Sequence, residues 1–471
     1  MVLHPTTTTA ARETDLAQLG ARLHGRLLRP TDADYESARR LWNGMIDRRP
    51  AAIVQCRGAA DVIDAVRFAR QHDLLVTVRG RGHNIAGTAI ADDALMIDLS
   101  LMNGVWVDPD ERVAVVQPGA NWGDVDRETQ AFGLATPSGI VSTTGIAGLT
   151  LGGGFGWLSR KYGFTSDNLL SVDLVTADGE FITASEVENA DLFWGLRGGG
   201  GNFGIVTSFR YRLHAVGPTV MAGLRLYPMD QAEDVLRFYR DFSATAPDEL
   251  GTLAVLRMAP AAPFLPQEIH GKPVVGIAVC YAGSVEDGER VVQPLKAFGA
   301  PVSDGIGPKP YTQHQTLLDG GVPAGRHYYW KSEYLSGIAD ESIATLVHHA
   351  PQMTSPLTSV LLFQLGGAIS RFPEDASAAS HRDAAYVLNI QSSWLDASEA
   401  ARHVAWTREF WAAVRPFGTG GVYVNFVGED EGAERVRAAY DTEKLQRLAA
   451  LKARYDATNF FRVNQNIQPA G

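Results

Sequence analysis

His83 ends the run Arg79-Gly80-Arg81-Gly82-His83, in which cations and glycines precede a ring able to act as nucleophile, base or ligand. Glycines let the backbone take positive φ and turn its N–H groups toward one point, which suits a phosphate-bearing ligand. Asn84 and Gly87 close this turn. The same residues also read as a glycine-rich hairpin carrying a solvated histidine, and the stretch alone leaves both readings open. A second stretch, residues 138–156, carries glycine at 139, 145, 148, 152, 153, 154 and 156 and no charged residue. Such a run cannot fill a core with side chains, so its use is the close approach of backbone to something flat or phosphate-bearing. Its interleaved Ile140, Val141, Ile146, Leu149, Leu151 and Phe155 argue against a polar flexible linker. A third cluster, GGGGNFG at 198–204, contains a formal G-x-G-x-x-G at Gly199, Gly201 and Gly204. A dinucleotide fingerprint follows a strand and opens a helix, whereas this one precedes an apolar strand pattern at 205–213, so a Rossmann reading is rejected.

The elements that must position these residues follow from periodicity. Leucines at 16, 19, 23 and 27 predict a helix over 15–27, after a frayed start at 6–11. A strand at 53–56, an amphipathic helix at 59–72 and a strand at 74–78 form a strand-helix-strand unit that delivers the His83 turn. Strands at 94–99 and 112–117 follow, then a turn at Pro118-Gly119 and a helix over 121–133. The middle of the chain reads as two successive β-α-β-β-α passes. The first has strands at 219–226, 252–258 and 274–281 with helices at 230–245 and 285–298. The second has strands at 328–335, 359–365 and 385–390 with helices at 340–349 and 398–414. Two such passes predict one antiparallel sheet covered by helices on a single face, its other face roofing a ligand. No sequence repeat accompanies the pattern. A last strand is predicted over 421–426.

At 471 residues the chain exceeds what one core organises, so two domains are expected. A composition of 45% hydrophobic and 20% charged residues is that of an ordinary globular protein, and a net charge of -11 argues against nucleic acid or an anionic membrane surface as partner. Two distant cysteines, Cys56 and Cys280, form neither a disulfide framework nor a metal-ligand spacing, so no metal is expected and a cytoplasmic location is allowed. The first fifteen residues lack a cationic stretch followed by an apolar core, and no run of about 18 apolar residues occurs, so neither a secretory leader nor a membrane span is expected.

Taken together, RGRGHNIAG, GIAGLTLGGGFG, WGLRGGGGNFGIVTSF and the C-terminal RVNQNIQP, in that order from about residue 53 to 469, resemble the flavin-linked oxidases of the berberine bridge enzyme type within the vanillyl-alcohol oxidase superfamily. The resemblance implies an α+β chain. A PCMH/VAO-type FAD-binding domain of two α/β subdomains would comprise residues 1–216 completed by 419–471, with a substrate domain at 217–418. It implies FAD bonded covalently from a ring nitrogen of His83 to the flavin 8-methyl carbon. Many members add a second bond from a cysteine at the place held here by Val141, so a single attachment is expected. Backbone of Arg79, Gly80, Arg81, Gly82, His83 and Asn84 would hold the pyrophosphate, with Gly87 beside it. The rest of the dinucleotide would lie on Pro118, Gly139, Val141, Thr143, Gly145, Gly148, Gly153, Gly154 and Gly156. Ile205 and Val206 would meet the adenine, and Asn464 would complete the site. Ile146 would sit where the family gates dioxygen.

On the substrate side, strand alternation would put Tyr423 and Asn425 on one face, and the family's Tyr-x-Asn pattern puts that face at the flavin, with Tyr423 as proton acceptor. Leu362, Gln364 and Gly366 would share a face, which makes Gln364 a candidate substrate contact. Lys331 and Glu333 would line the roof or form a solvated pair, and His381-Arg382 reads as structural. The implied reaction is hydride removal from a C–H bond beside oxygen or nitrogen of a small molecule, with dioxygen reoxidising the flavin. The substrate would be a secondary-metabolite alcohol, a nicotine-like amine or, least favoured, a sugar. A flavin dehydrogenase or an oxygenating polyketide-tailoring enzyme is the first alternative, a non-catalytic flavin or metabolite-binding protein the second. Oligomeric state is open.

Overall fold

The structure, a computed structural model, describes residues 13–262 and 265–471. The frayed start expected at 6–11 lies outside the described residues. Three large sheets carry the chain, beside a two-stranded ribbon of Leu134–Ala135 and His214–Ala215. A four-stranded sheet has the order Arg26–Leu28, Ala52–Gln55, Leu95–Asp98, Val76–Arg79, its last three strands parallel. The helix Ala59–Gln71 crosses between Ala52–Gln55 and Val76–Arg79 and buries Val62, Ala65, Val66 and Ala69 against the sheet. The helix expected over 15–27 ends at Arg22, and Arg26–Leu28 is a strand instead. The cause is Asp61, whose carboxylate accepts the backbone N–H groups of His24 (2.8 Å), Gly25 (3.0 Å) and Arg57 (2.8 Å), drawing the chain off its helical path.

The second sheet is antiparallel, in the order Val105–Asp108, Val113–Val116, Ile205–Arg212, Leu169–Val175, Phe181–Ser185. It packs on the helices Trp122–Gln130, Ala190–Leu196 and Thr442–Tyr455, the last from the C-terminal segment. The third sheet realises the two predicted passes. Its central order is Thr219–Pro228, Pro273–Tyr281, Leu250–Met258, Ser359–Gln364, Tyr386–Trp394, His327–Leu335, antiparallel throughout, with the passes joined edge to edge between Leu250–Met258 and Ser359–Gln364. The helices Ala232–Ala244, Val285–Ala297, Asp340–His349 and Ala400–Val414 cover one face through Val235, Leu236, Val292, Ile343, Leu346 and Phe410. The opposite face turns toward the glycine-rich segments, where Leu253, Val255, Leu361 and Phe363 meet Phe155 and Tyr423.

The strand expected over 421–426 is absent. Gly420 takes φ +88°, and the chain then forms a short 3-10 turn, Val424–Phe426, with the Phe426 N–H bonded to the Tyr423 carbonyl at 2.9 Å. Local bonding has replaced a ladder. Arg382, buried with 1% side-chain exposure, forms a bidentate pair with Asp167 (2.7 and 2.9 Å) and lies over the rings of Phe164 and Phe372, tying the roof sheet's edge to the glycine-rich floor. Lys331 and Glu333 neither roof a cavity nor meet solvent. Lys331 pairs with Asp430 (2.9 Å), and Glu333 accepts from Arg435 and from the Trp411 indole at 2.8 Å each, all on the helix-covered side.

Candidate functional site

The strand Val76–Arg79 points the turn after it into a long cavity between the three sheets. Gly82 takes φ +71° there, and the turn presents Gly80, Arg81, Gly82, His83 and Asn84 to the cavity wall. Burial lowers the His83 pKa to about 4, so its ring is neutral and keeps a free lone pair at ordinary pH. Trp42 stacks on the ring at 4.2 Å and on Tyr328 of the roof sheet at 3.8 Å, while its indole N–H donates to the Val322 carbonyl at 3.0 Å. The Thr144 hydroxyl lies 3.5 Å from His83 Nε2. Arg79 does not face the cavity; its guanidinium grips Asp98 at 2.6 and 3.0 Å beneath the sheet and so anchors the base of the turn. Gly87 is likewise structural, since a Cβ there would stand 2.7 Å from the Ile46 side chain.

The glycine-rich floor divides into two parts. Gly139, Val141, Gly145 and Gly148 line the cavity, and nothing lies within 4 Å of a Cβ built at Gly148, so the backbone itself is the surface offered to a ligand. Gly153 and Gly154 instead seat a side-chain pair, and Gly156, expected to hold the dinucleotide, packs on the Ser138 carbonyl, which a Cβ there would meet at 2.1 Å. The Gly154 N–H donates to the Tyr423 hydroxyl oxygen at 3.1 Å, Asn425 Nδ2 donates to the same oxygen at 2.8 Å, and a Cβ at Gly152 would meet the Asn425 amide at 2.3 Å. Tyr423 and Asn425 thus meet across a turn rather than along a strand. Burial pushes the Tyr423 phenol up to about 12, opposed by its two donors.

Other expected contacts fall behind the wall. A Cβ at Gly80 would stand 3.0 Å from the Pro118 carbonyl, which places Pro118 under the turn rather than in the cavity. Thr143 is exposed, and its neighbour Thr144 takes the cavity position. Ile146 is fully buried in the core beneath the five-stranded sheet; the helix Ile146–Leu151 turns Ala147 to the cavity in its place. At the far end Ile205, Val206 and Asn464 line the wall. Asn464 Nδ2 donates to the Phe461 and Gly201 carbonyls, and its Oδ1 is buried without a partner among the described residues.

Gln364 is a correction. Its amide accepts from Thr252 Oγ1 at 2.7 Å and donates to the Ser243 carbonyl at 2.6 Å, on the helix-covered side of the roof with Leu362. The strand presents the opposite parity to the cavity: Ser359, Leu361 and Phe363 face it. Arg257, Asn389, Gln391 and Trp330 join them, and none was singled out in the sequence. The signal available was the parity of the same strands, since residues two apart share a face.

A backbone cradle with open glycines, an unpartnered amide oxygen at one end and a neutral histidine at the other fits a flavin dinucleotide. No helix among the described residues is long and apolar enough to cross a membrane, and no acidic, His or Cys cluster there has the makings of a metal site. Residues 50–185 match the FAD binding domain family, and 422–468 match the berberine and berberine-like family. An FAD-linked oxidoreductase of Dictyostelium discoideum is 30% identical over 452 residues, 95% of each chain. (R)-6-hydroxynicotine oxidase of Paenarthrobacter nicotinovorans is 31% identical over 461 residues, 95% of this chain and 98% of that one. The crystal structure of 6-hydroxy-D-nicotine oxidase from Arthrobacter nicotinovorans superposes with a TM-score of 0.85 at 28% identity, covering 95% of this chain and 98% of that chain. Cavity, cofactor-domain match and full-length similarity agree: the chain belongs to the FAD-linked oxidoreductases of the berberine-bridge-like family.

Proposed function

We propose that this oxidoreductase holds FAD through one covalent bond from His83 and oxidises an alcohol or amine C–H of a small secondary-metabolite-like molecule, with dioxygen as electron acceptor. The observation that carries the reading is the neutral His83 ring and the Tyr423–Asn425 pair facing one glycine-floored cavity under an apolar roof. The similarity to 6-hydroxynicotine oxidase supports a small amine or alcohol as substrate. Bound flavin would supply the hydride acceptor. Residues 1–216 and 419–471 are read as the unit that holds it and 217–418 as the roof over the substrate.

His83 is suited to the tether because only an unprotonated ring nitrogen is nucleophilic. Val141 lines the cavity where a thiol would be needed for a second bond, and both cysteines, Cys56 and Cys280, are buried outside it, which supports single attachment and accords with a cytoplasmic location. Tyr423 accepts the substrate proton as hydride departs. The N–H of Gly154 and the amide of Asn425 both point at its oxygen and stabilise the phenolate that takes the proton and leaves the step as neutral phenol. Stacking between Trp42 and His83 fixes the tethered ring, and the roof of Leu361, Phe363 and Trp330 excludes water. Acid precipitation of purified protein tests the tether: yellow colour stays with the pellet, and its complete release overturns the covalent reading. Stopped-flow mixing of the reduced protein with dioxygen tests the acceptor, sluggish reoxidation favouring a dehydrogenase.

A further inference from the structure

The cavity face of the roof is ordered in rows. Strand register sets Arg257 opposite Ser359, Ser359 opposite Gln391, and Gln391 opposite Trp330, so one row crosses four adjacent strands. The next row inward is Val255, Leu361 and Asn389. The row after that holds Leu253, Phe363 and Val387, and Phe363 makes an edge contact with Phe155, which packs on Tyr423. The roof is therefore apolar at the Tyr423 end and polar about 13 Å away along the strand, four residues at about 3.3 Å each.

Arg257 is the cation of that polar row. Its Nε donates to the Met258 carbonyl at 3.2 Å, and its two terminal nitrogens have neither a hydrogen-bond acceptor nor a carboxylate partner among the described residues. Gly321 lets the backbone pass close beside them, since a Cβ there would stand 3.2 Å from Nη1 and crowd the guanidinium. Arg326 lies close enough to oppose the charge on Arg257, which, with burial as the larger cause, lowers the Arg257 pKa. Beside it, neither the Gln391 amide nor the Ser359 hydroxyl hydrogen-bonds to any described residue, although Gln391 is only 5% exposed. Buried polar groups are ordinarily partnered, and a half-buried guanidinium without an anion is costly. Two other buried arginines have theirs: Arg79 has Asp98 and Arg382 has Asp167.

We propose that the Arg257–Ser359–Gln391 row binds a carboxylate on the substrate, so that the molecule oxidised is an amphipathic acid whose apolar body lies under Val255, Leu361 and Phe363 with its reacting end at Tyr423. The inference rests on the oxidoreductase reading for which end reacts. The planar fork of arginine matches a carboxylate bidentately, and the serine hydroxyl and glutamine amide supply further donors.

Calorimetric titration of the flavin-loaded protein with benzoate and with its neutral isostere benzamide tests this. Benzoate binds tighter than benzamide by about tenfold or more, as for a hydrogen-bonded charge. Arg257→Gln abolishes the preference, Arg257→Lys restores part of it, and Ser359→Ala weakens benzoate by a smaller factor while leaving benzamide unchanged. Equal affinity for the two probes, no heat from benzoate, or a preference that survives Arg257→Gln overturns the proposal. Visible flavin absorbance of the same sample reports the cofactor separately: a colourless protein overturns the flavin reading, whereas a yellow protein indifferent to benzoate overturns the carboxylate site alone.

Discussion

The floor and the roof of the cavity are built by opposite means. The floor presents backbone: Gly80, Gly82, Gly145 and Gly148 form much of the surface, and among the side chains that reach through it, His83 is stacked on by Trp42 while Tyr423 and Asn425 are held by the Gly154 N–H and by each other. The roof presents side chains in strand register, Arg257, Ser359, Leu361, Phe363, Asn389 and Gln391, with the sheet's own hydrogen bonds hidden within it. A backbone surface fits what is common to all ligands of a fold, here a dinucleotide, and can vary little without losing it. A side-chain surface can be rewritten one residue at a time. On the proposed reading the floor would specify the cofactor and the roof the substrate.

The sharpest break of this contrast comes from His83, the one floor residue whose side chain would bond the cofactor. In His83→Ala the acid-precipitated pellet loses its colour altogether while the protein still folds and binds FAD non-covalently, because the glycine cradle is untouched. A pellet that stays yellow would move the tether elsewhere. Next is Tyr423→Phe, which would remove the proposed proton acceptor and lower turnover by about 10²–10⁴-fold. The wild-type phenol, pushed up to about 12, makes kcat/KM climb about tenfold per pH unit on the alkaline side as phenolate forms, and the variant is flat over the same range.

The same contrast explains what the sequence disclosed. Glycine clusters and the Arg-Gly-x-Gly-His run announce a backbone surface through residue type alone, so the His83 turn, Gly139, Gly145, Gly148 and the order of sheets and helices were legible. Face assignment on the roof depends on parity, and a shift of one residue exchanged Gln364 for the cavity-facing Ser359, Leu361 and Phe363. Ile146 failed for the helical counterpart of that reason, since one step along the turn replaces a core position with Ala147. The strand expected over 421–426 was lost to a local turn that alternation cannot reveal. Trp42, which clamps His83, comes from a loop forty-one positions upstream with nothing in its neighbours to mark it.

The seam between floor and roof carries a smaller effect. Gln315 Nε2 donates to Asp126 Oδ2 at 2.9 Å and to the Ser138 hydroxyl at 2.7 Å, joining the helix Trp122–Gln130 and the second glycine stretch to the segment leading into the roof. Burial raises the Asp126 pKa to about 7, against the single donor from Gln315. A folded-state pKa above the unfolded value means that the stabilisation is complete below the unfolded pKa, about 3.9, and fades as pH rises through about 7, by up to about 1.4 kcal/mol per unit. Chemical denaturation at a series of pH values shows this decline in the wild type, and Asp126→Asn removes it.

The smallest effect tests the contrast most directly, because it sets two glutamines of neighbouring roof strands against each other. Gln364 is bonded at both ends of its amide on the helix side, whereas Gln391 faces the cavity with no side-chain partner among the described residues. Gln364→Leu removes two buried hydrogen bonds, although the Ser243 carbonyl keeps the Ala246 N–H and the Thr252 hydroxyl keeps Tyr239, and so costs about 1 kcal/mol per bond, read as a lower melting temperature with KM unchanged. Gln391→Leu loses no internal bond, so the melting temperature holds while KM rises by the worth of one hydrogen bond, about 1 kcal/mol. Two variants of identical chemistry then separate on orthogonal axes, stability and binding, only if each roof face has a single task. A loss of KM in Gln364→Leu, or of stability in Gln391→Leu, would show that the two faces communicate through the sheet and that the roof cannot be rewritten independently of the fold.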